Sequence, residues 1–179
     1  MDIQEWIEQI KIELDALQKF DHGGFMSREN KLLDPPDPKL IEDFSSKMSI
    51  QLPDELKDFY LNCGGLRMAD VHNAYFLMEL TTIMDADKLE LPTKVSGMYN
   101  EVVIPIGSDG GGNLFVLRIG QEKDVLYIQE PWVEDSTAII DDIDTRVVAD
   151  SFNGFLERLL LEARAFLRND STWKYLDEE

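Results

Sequence analysis

From Ile3 to Phe20 the apolar positions are Ile3, Trp6, Ile7, Ile10, Leu14 and Leu17, with Glu5, Glu8, Lys11 and Asp15 between them. Steps of three and four wrap one apolar stripe along an amphipathic helix. The helix is expected to stop at Asp21-His22-Gly23-Gly24, because glycine tolerates the left-handed conformation of a helix end. Residues 21–37, with two glycines, Pro35 and Pro36, read as a long connection. Asp37-Pro38 predicts a second short helix, with Asp37 as cap and Pro38 in the first turn, where its missing N–H has no partner to lose. Leu52-Pro53-Asp54-Glu55-Leu56-Lys57-Asp58-Phe59-Tyr60 predicts a third helix that ends at Cys63-Gly64-Gly65. Acids fill its first turn, and Leu56, Phe59 and Tyr60 form its buried stripe.

The period then changes. Tyr75–Thr82, Val102–Ile106, Asn113–Ile119, Asp124–Glu130 and Ala138–Ile140 are short runs rich in branched and aromatic residues, separated by turn residues, and predict strands. The later runs lie too close together for crossover helices, so they are expected to pair as an antiparallel meander, with Gln121-Glu122-Lys123 as a hairpin connection. After Asp150-Ser151 the helical period returns: Phe152, Phe155, Leu156, Leu159 and Leu160 share one face. Helices, then strands, then a closing helix predict an α+β domain with a largely antiparallel sheet.

Charge changes this picture more than composition does. The chain has 179 residues, 44% of them hydrophobic, within the range of a single globular domain. Lys and Arg number 17 against 36 Asp and Glu, a formal net charge of −19. Nucleic-acid binding requires clustered cations to neutralise phosphates, so neither DNA nor RNA is an expected partner, and an anionic membrane face is disfavoured on the same ground. This charge suits either plain solubility or docking onto a strongly basic partner. Cys63 is the only cysteine, which excludes an intramolecular disulfide. Acids interrupt the N-terminal apolar positions as they would not in a signal peptide, and no apolar run approaches the ~20 residues needed to span a bilayer. The expected location is the cytoplasm.

Candidate chemistry is sparse. Gly107-Ser108-Asp109-Gly110-Gly111-Gly112-Asn113 is the densest glycine cluster, but it runs into a strand pattern with no lysine, so it reads as a turn of positive-φ glycines and not a phosphate loop. Ser108 lacks the first glycine of a nucleophile elbow, whose place Ile106 takes. His22, His72 and Cys63 have no metal-ligand spacing, and the calcium-loop-like start Asp85-Ala86-Asp87 fails at Leu89 and Glu90. No catalytic residue, cofactor or metal is expected. The acids themselves are uneven: between Gln121 and Asp150 nine acids stand against Lys123 and Arg146. Tyr127, Pro131 and Trp132 are interleaved with them, and aromatic residues commonly anchor protein interfaces. The alternative is a solvated sheet edge, charged against aggregation.

Three stretches resemble the SUKH superfamily. Leu52 to Tyr60 followed by Cys63-Gly64-Gly65 is similar to its Leu-Pro, acidic-helix, Gly-Gly signature. Ile104-Pro105-Ile106-Gly107 through Asn113 is similar to its central strand, glycine turn and following strand. Val148-Ala149-Asp150-Ser151-Phe152-Asn153-Gly154-Phe155-Leu156 is similar to its closing helix. The three occur in the superfamily's order and cover about residues 38–162. The resemblance implies a single twisted, mainly antiparallel sheet packed with N-terminal helices and a C-terminal helix. It also implies no catalytic residues, and a role as a bacterial immunity protein or as a regulator related to the yeast cell-wall assembly protein. The expected organisation is an N-terminal helix and connection over 1–37, the α+β domain over 38–168 and an acidic tail over 169–179, the extensions serving a particular partner or a homodimer. The expected function is blockade of a basic toxin domain, most simply a nuclease, through Glu130, Trp132, Glu134, Asp135, Asp141, Asp142 and Asp144. The alternatives are a regulatory or scaffold module and a small ligand-binding domain or enzyme.

Overall fold

A computed structural model describes residues 1–21, 23, 26–97, 100–120, 122–139 and 145–178. Helix α1 (Ile3–Leu17) follows the predicted stripe, and Asp2 caps it by accepting from the Glu5 N–H at 2.8 Å. Helices α2 (Pro38–Met48) and α3 (Asp54–Asn62) start where the proline and acid signals place them, Asp37 capping the first through the Lys39 N–H. The closing helix α5 (Phe152–Leu167) is capped by Ser151, whose hydroxyl accepts from the Gly154 N–H at 3.0 Å.

The long connection is not all loop. Strand β1 (Asn30–Leu33) lies within it, paired antiparallel with β2 (Gly65–Met68). Asp70 holds its approach by accepting from the Ser27 and Arg28 N–H groups and the Asn30 amide. The run Tyr75–Thr82 also divides differently from expectation: β3 (Tyr75–Leu77) is only its first part, and helix α4 (Leu80–Met84) takes the rest, burying Leu80, Ile83 and Met84. Both misreadings have one physical cause, since strands of three or four residues take their identity from their neighbours and not from an intrinsic period.

Three runs of the predicted meander form the centre of the sheet, but the last, at Ala138, pairs in parallel with Lys94–Ser96 instead, and a strand that the sequence pattern did not mark takes its place beside the third. β5 (Glu101–Asp109), β6 (Leu114–Arg118), β7 (Val125–Ile128) and β10 (Thr145–Ala149) pair antiparallel in that order. β5 also branches. Its C-terminal end pairs with β3, while its N-terminal end pairs with β4 (Lys94–Ser96), which in turn binds β9 (Thr137–Ile139) in parallel, and β9 carries β8 (Trp132–Glu134). Ile140, the expected end of the fifth strand run, lies outside the described residues.

This branch explains why β6 and β7 are buried on both faces. Phe115, Leu117, Val125 and Tyr127 point into a core shared with the helices, whereas Leu114, Val116, Leu126 and Ile128 face a second cluster closed by Val95, Ala138 and Val133 of the flap β4-β9-β8. The fold is α+β, with one mainly antiparallel sheet, helices at both ends of the chain and a small flap over the face opposite the helices. Trp6, Ile7, Ile10, Leu14 and Leu17 of α1 and Leu176 of the C-terminal segment belong to the same core as the sheet and α5. No helix of the described residues is long and apolar enough to cross a membrane.

Close backbone approach dictates glycine at several motif positions, Gly64 and Gly107 among them. A Cβ on Gly64 would overlap the Asp34 carbonyl oxygen, and one on Gly107 would overlap the Phe76 carbonyl oxygen of the adjacent strand. In the glycine turn only Gly112 has positive φ, at 88°, so the expected run of positive-φ glycines reduces to one.

Candidate functional site

The acidic segment begins at the glycine turn. Asp109, 3% exposed, accepts from the Gly111 N–H at 2.8 Å, the Asn113 N–H at 3.0 Å, the Asn113 amide at 2.8 Å and the Tyr127 hydroxyl at 2.7 Å. A carboxylate with several donors is the arrangement in which a buried charge is tolerated. The Asn113 side chain, oriented by this network, accepts the Glu130 N–H at 2.9 Å. The turn therefore fixes where the chain leaves β7 for the flap.

From there Pro131 leads into β8, an end strand of the sheet path. Alternation along β8 turns Val133 onto the second core and leaves Trp132 and Glu134 facing solvent. Trp132 is 71% exposed, the most exposed large apolar side chain among the described residues. Asp135 and Ser136 join β8 to β9 as a two-residue hairpin, both with positive φ, 47° and 58°, the conformation that matches strand twist. The Ser136 hydroxyl donates to Asp87 at 2.8 Å, and its carbonyl oxygen accepts from the Thr93 N–H at 2.9 Å. Asp87 belongs to the 3₁₀ turn Ala86–Leu89, so this contact brings a further exposed carboxylate beside the hairpin tip, with Lys88 of the same turn and Lys94 of β4 as nearby exposed cations.

Of the seven expected contact residues, Trp132 and Glu134 lie on one exposed strand, Asp135 in its turn and Glu130 in the bend that leads into it. Asp141, Asp142 and Asp144 lie outside the described residues. Two residues of the acidic segment have other tasks. Tyr127 is 1% exposed and packs against Phe115 with Arg146 4.9 Å from its ring centroid, so it is a core side chain and not an interface aromatic. Asp124 is buried and pairs bidentately with Arg118, whose Nη2 lies 2.6 Å from it. Sequence reasoning missed Asp109 and Asn113 as positioning residues. The available signal was the pair of amide- and carboxylate-bearing residues bracketing three glycines.

The residues weighed for catalysis are placed structurally. Cys63 is buried, its thiol donates to the Gly65 carbonyl oxygen at 3.1 Å, and burial pushes its pKa up to about 11. His72 stacks on Tyr175 with ring centroids 4.1 Å apart. His22 lies outside the described residues. Among the described residues no three His, Cys, Asp or Glu side chains converge as a metal site. The deepest charged cluster is elsewhere, where Glu162 of α5 is fully buried beside Arg158 and Tyr75.

Residues 35–158 match the model of the SMI1 / KNR4 family (SUKH-1), which spans all three stretches singled out in the sequence. No curated protein matches the chain.

Proposed function

The chain belongs to the SMI1 / KNR4 family (SUKH-1), and from that premise we propose that it is a non-enzymatic immunity protein that blocks a basic toxin domain, most simply a nuclease. The observation that carries this reading is the solvent-facing edge of the flap, where Trp132 stands between Glu130, Glu134 and Asp135, with Asp87 at the tip. An exposed indole rimmed by carboxylates is suited to a partner with an apolar pocket in a basic surface. A nuclease carries such a surface to hold phosphates. The chain's net charge of −19 extends that complementarity beyond the contact and steers encounter.

The hairpin is also built to hold its shape. Its turn is tied to the 3₁₀ turn, its inward residue is packed, and its entry is fixed by Asn113. A preordered edge loses little entropy on binding, which favours slow release. Asp141, Asp142 and Asp144 follow β9 in sequence and add negative charge to the same stretch. The reading places the protein in the cytoplasm, where it meets a toxin on entry.

The test is capture from the native cell with a tagged chain at low salt, eluting in salt steps, alongside a variant carrying Glu130→Gln, Glu134→Gln, Asp135→Asn and Trp132→Ala. The wild-type chain is expected to retain a basic toxin-like domain near one-to-one, and the variant to lose it. A partner retained equally by both places the contact elsewhere. A neutral housekeeping partner favours the regulatory or scaffold reading.

A further inference from the structure

We infer that residues 170–178 form a strap whose closure onto the domain takes up one proton, shared between Glu162 and the Tyr75 hydroxyl. The inference is independent of the toxin-binding reading.

The strap has no regular secondary structure, yet it is held at every step. The Arg158 guanidinium lies 4.3 Å from the Trp173 ring centroid and donates to the Lys174 carbonyl oxygen. Arg146 Nη2 donates to the carbonyl oxygens of Leu176 at 2.7 Å and Glu178 at 3.0 Å. Leu176 is buried in the main core, Tyr175 stacks on His72, and Asp177 Oδ2 lies 3.3 Å from His72 Nε2. Beneath it, Glu162 Oε1 accepts from Arg158 Nε at 2.7 Å.

Counting protons in this cluster leaves one to place. Tyr75 Oη stands 2.6 Å from Asp177 Oδ1 and 3.4 Å from Glu162 Oε2. A hydroxyl donates one proton, and the shorter contact spends it on Asp177. The remaining contact then joins two acceptors unless the Glu162 carboxyl carries a proton and donates it to Tyr75 Oη. Burial acts in the same direction and outweighs Arg158, Trp173 and the Leu176 N–H, which all favour the charged form, pushing Glu162 up to about 7. The groups around it are Arg158 from its own helix, Tyr75 from β3, and Trp173, the Leu176 N–H and Asp177 from the strap. His72 and Arg146 stand one remove away, against Asp177 and the strap carbonyls.

When the strap lifts, Tyr75 loses Asp177 and Glu162 loses its cover, so its pKa returns toward the ordinary carboxyl value of about 4.3. Between that value and the raised one the closed state holds the extra proton. Closure is therefore at full strength at acid pH and weakens as pH rises to about 7.

Amide hydrogen exchange of the full chain at pH 5 and pH 7.5, corrected for the intrinsic rate, tests this directly, with α1 amides as the internal reference. Protection of residues 173–178 is expected to fall by about tenfold or more across that range while α1 holds. In Glu162→Gln, whose amide donates at every pH, protection is expected to stay high at both. Strap protection that is flat in the wild type, or an equal fall in Glu162→Gln, overturns the inference. A second reading needs no variant: the Glu162 carboxyl carbon resonance is expected to titrate near pH 7, and a midpoint in the ordinary carboxylate range contradicts it.

Discussion

Trp6 donates its indole N–H to the Leu156 carbonyl oxygen at 2.6 Å, joining positions 150 residues apart. The same ring packs at 6.1 Å against Phe59 of α3, so one side chain ties the N-terminal helix to two elements of the family-matched region. Arg164 of α5 reinforces the joint by donating to Glu13 and Gln9 of α1, both at 2.8 Å. The N-terminal helix is thereby part of the domain's own packing.

Replacing Trp6 by alanine is expected to lower unfolding free energy by about 3–5 kcal/mol, the cost of a large cavity plus an orphaned carbonyl. Trp6→Phe keeps most of the volume and is expected to cost roughly 1–2 kcal/mol. Urea unfolding measures both. A cost below that of an exposed substitution for Trp6→Ala would show that α1 is dispensable.

The glycine turn makes a different prediction. Asp109→Ala leaves the Tyr127 hydroxyl and two backbone N–H groups without their shared acceptor and is expected to cost about 2–4 kcal/mol, against ~1 kcal/mol for Tyr127→Phe. Because Asn113 holds Glu130 through this network, Asn113→Ala is expected to disturb the flap's amide resonances while those of α1 stay in place. Thermal unfolding and a backbone spectrum check the two parts.

Gly64→Ala and Gly107→Ala are each expected to destabilise by ~2 kcal/mol or more, since the added methyl meets backbone carbonyl oxygens that the sheet holds in place. Gly112→Ala meets no neighbouring atom, and its penalty is the positive φ alone, about 1 kcal/mol. The order of the three midpoints in urea is the test, and Gly112→Ala proving the most harmful would reverse the argument.

Neutralising the flap edge is expected to leave stability within about 0.5 kcal/mol, because Glu130, Glu134 and Asp135 are exposed. Against the captured partner, the amide variants are expected to slow association several-fold and flatten its dependence on salt, and Trp132→Ala to speed dissociation. Stopped-flow association at two ionic strengths separates the effects.

Local rules read some elements well. Asp37-Pro38 and Ser151 marked helix starts because capping depends on a few adjacent residues, and β5 to β7 were legible because each is long or apolar enough to show its pattern. β1, β2, β4, β8 and β10 were not, since each has only three to five residues; β1, β2 and β4 exist through partners distant in sequence, as in the parallel pair of β4 with β9, and β8 is one short arm of a hairpin. The same limit applies at the site. The acidic, Trp-bearing stretch was visible in composition, but nothing local separates an exposed Trp132 from a buried Tyr127. Nor does anything local separate a surface Glu134 from an Asp124 closed on Arg118.

The most direct measurement of the central claim is the toxic activity of the captured basic domain, assayed with and without an equimolar amount of this chain. The account predicts that activity is abolished at one-to-one stoichiometry and returns when the chain carries Trp132→Ala with the three amide substitutions. Undiminished activity at saturating wild-type chain would contradict it.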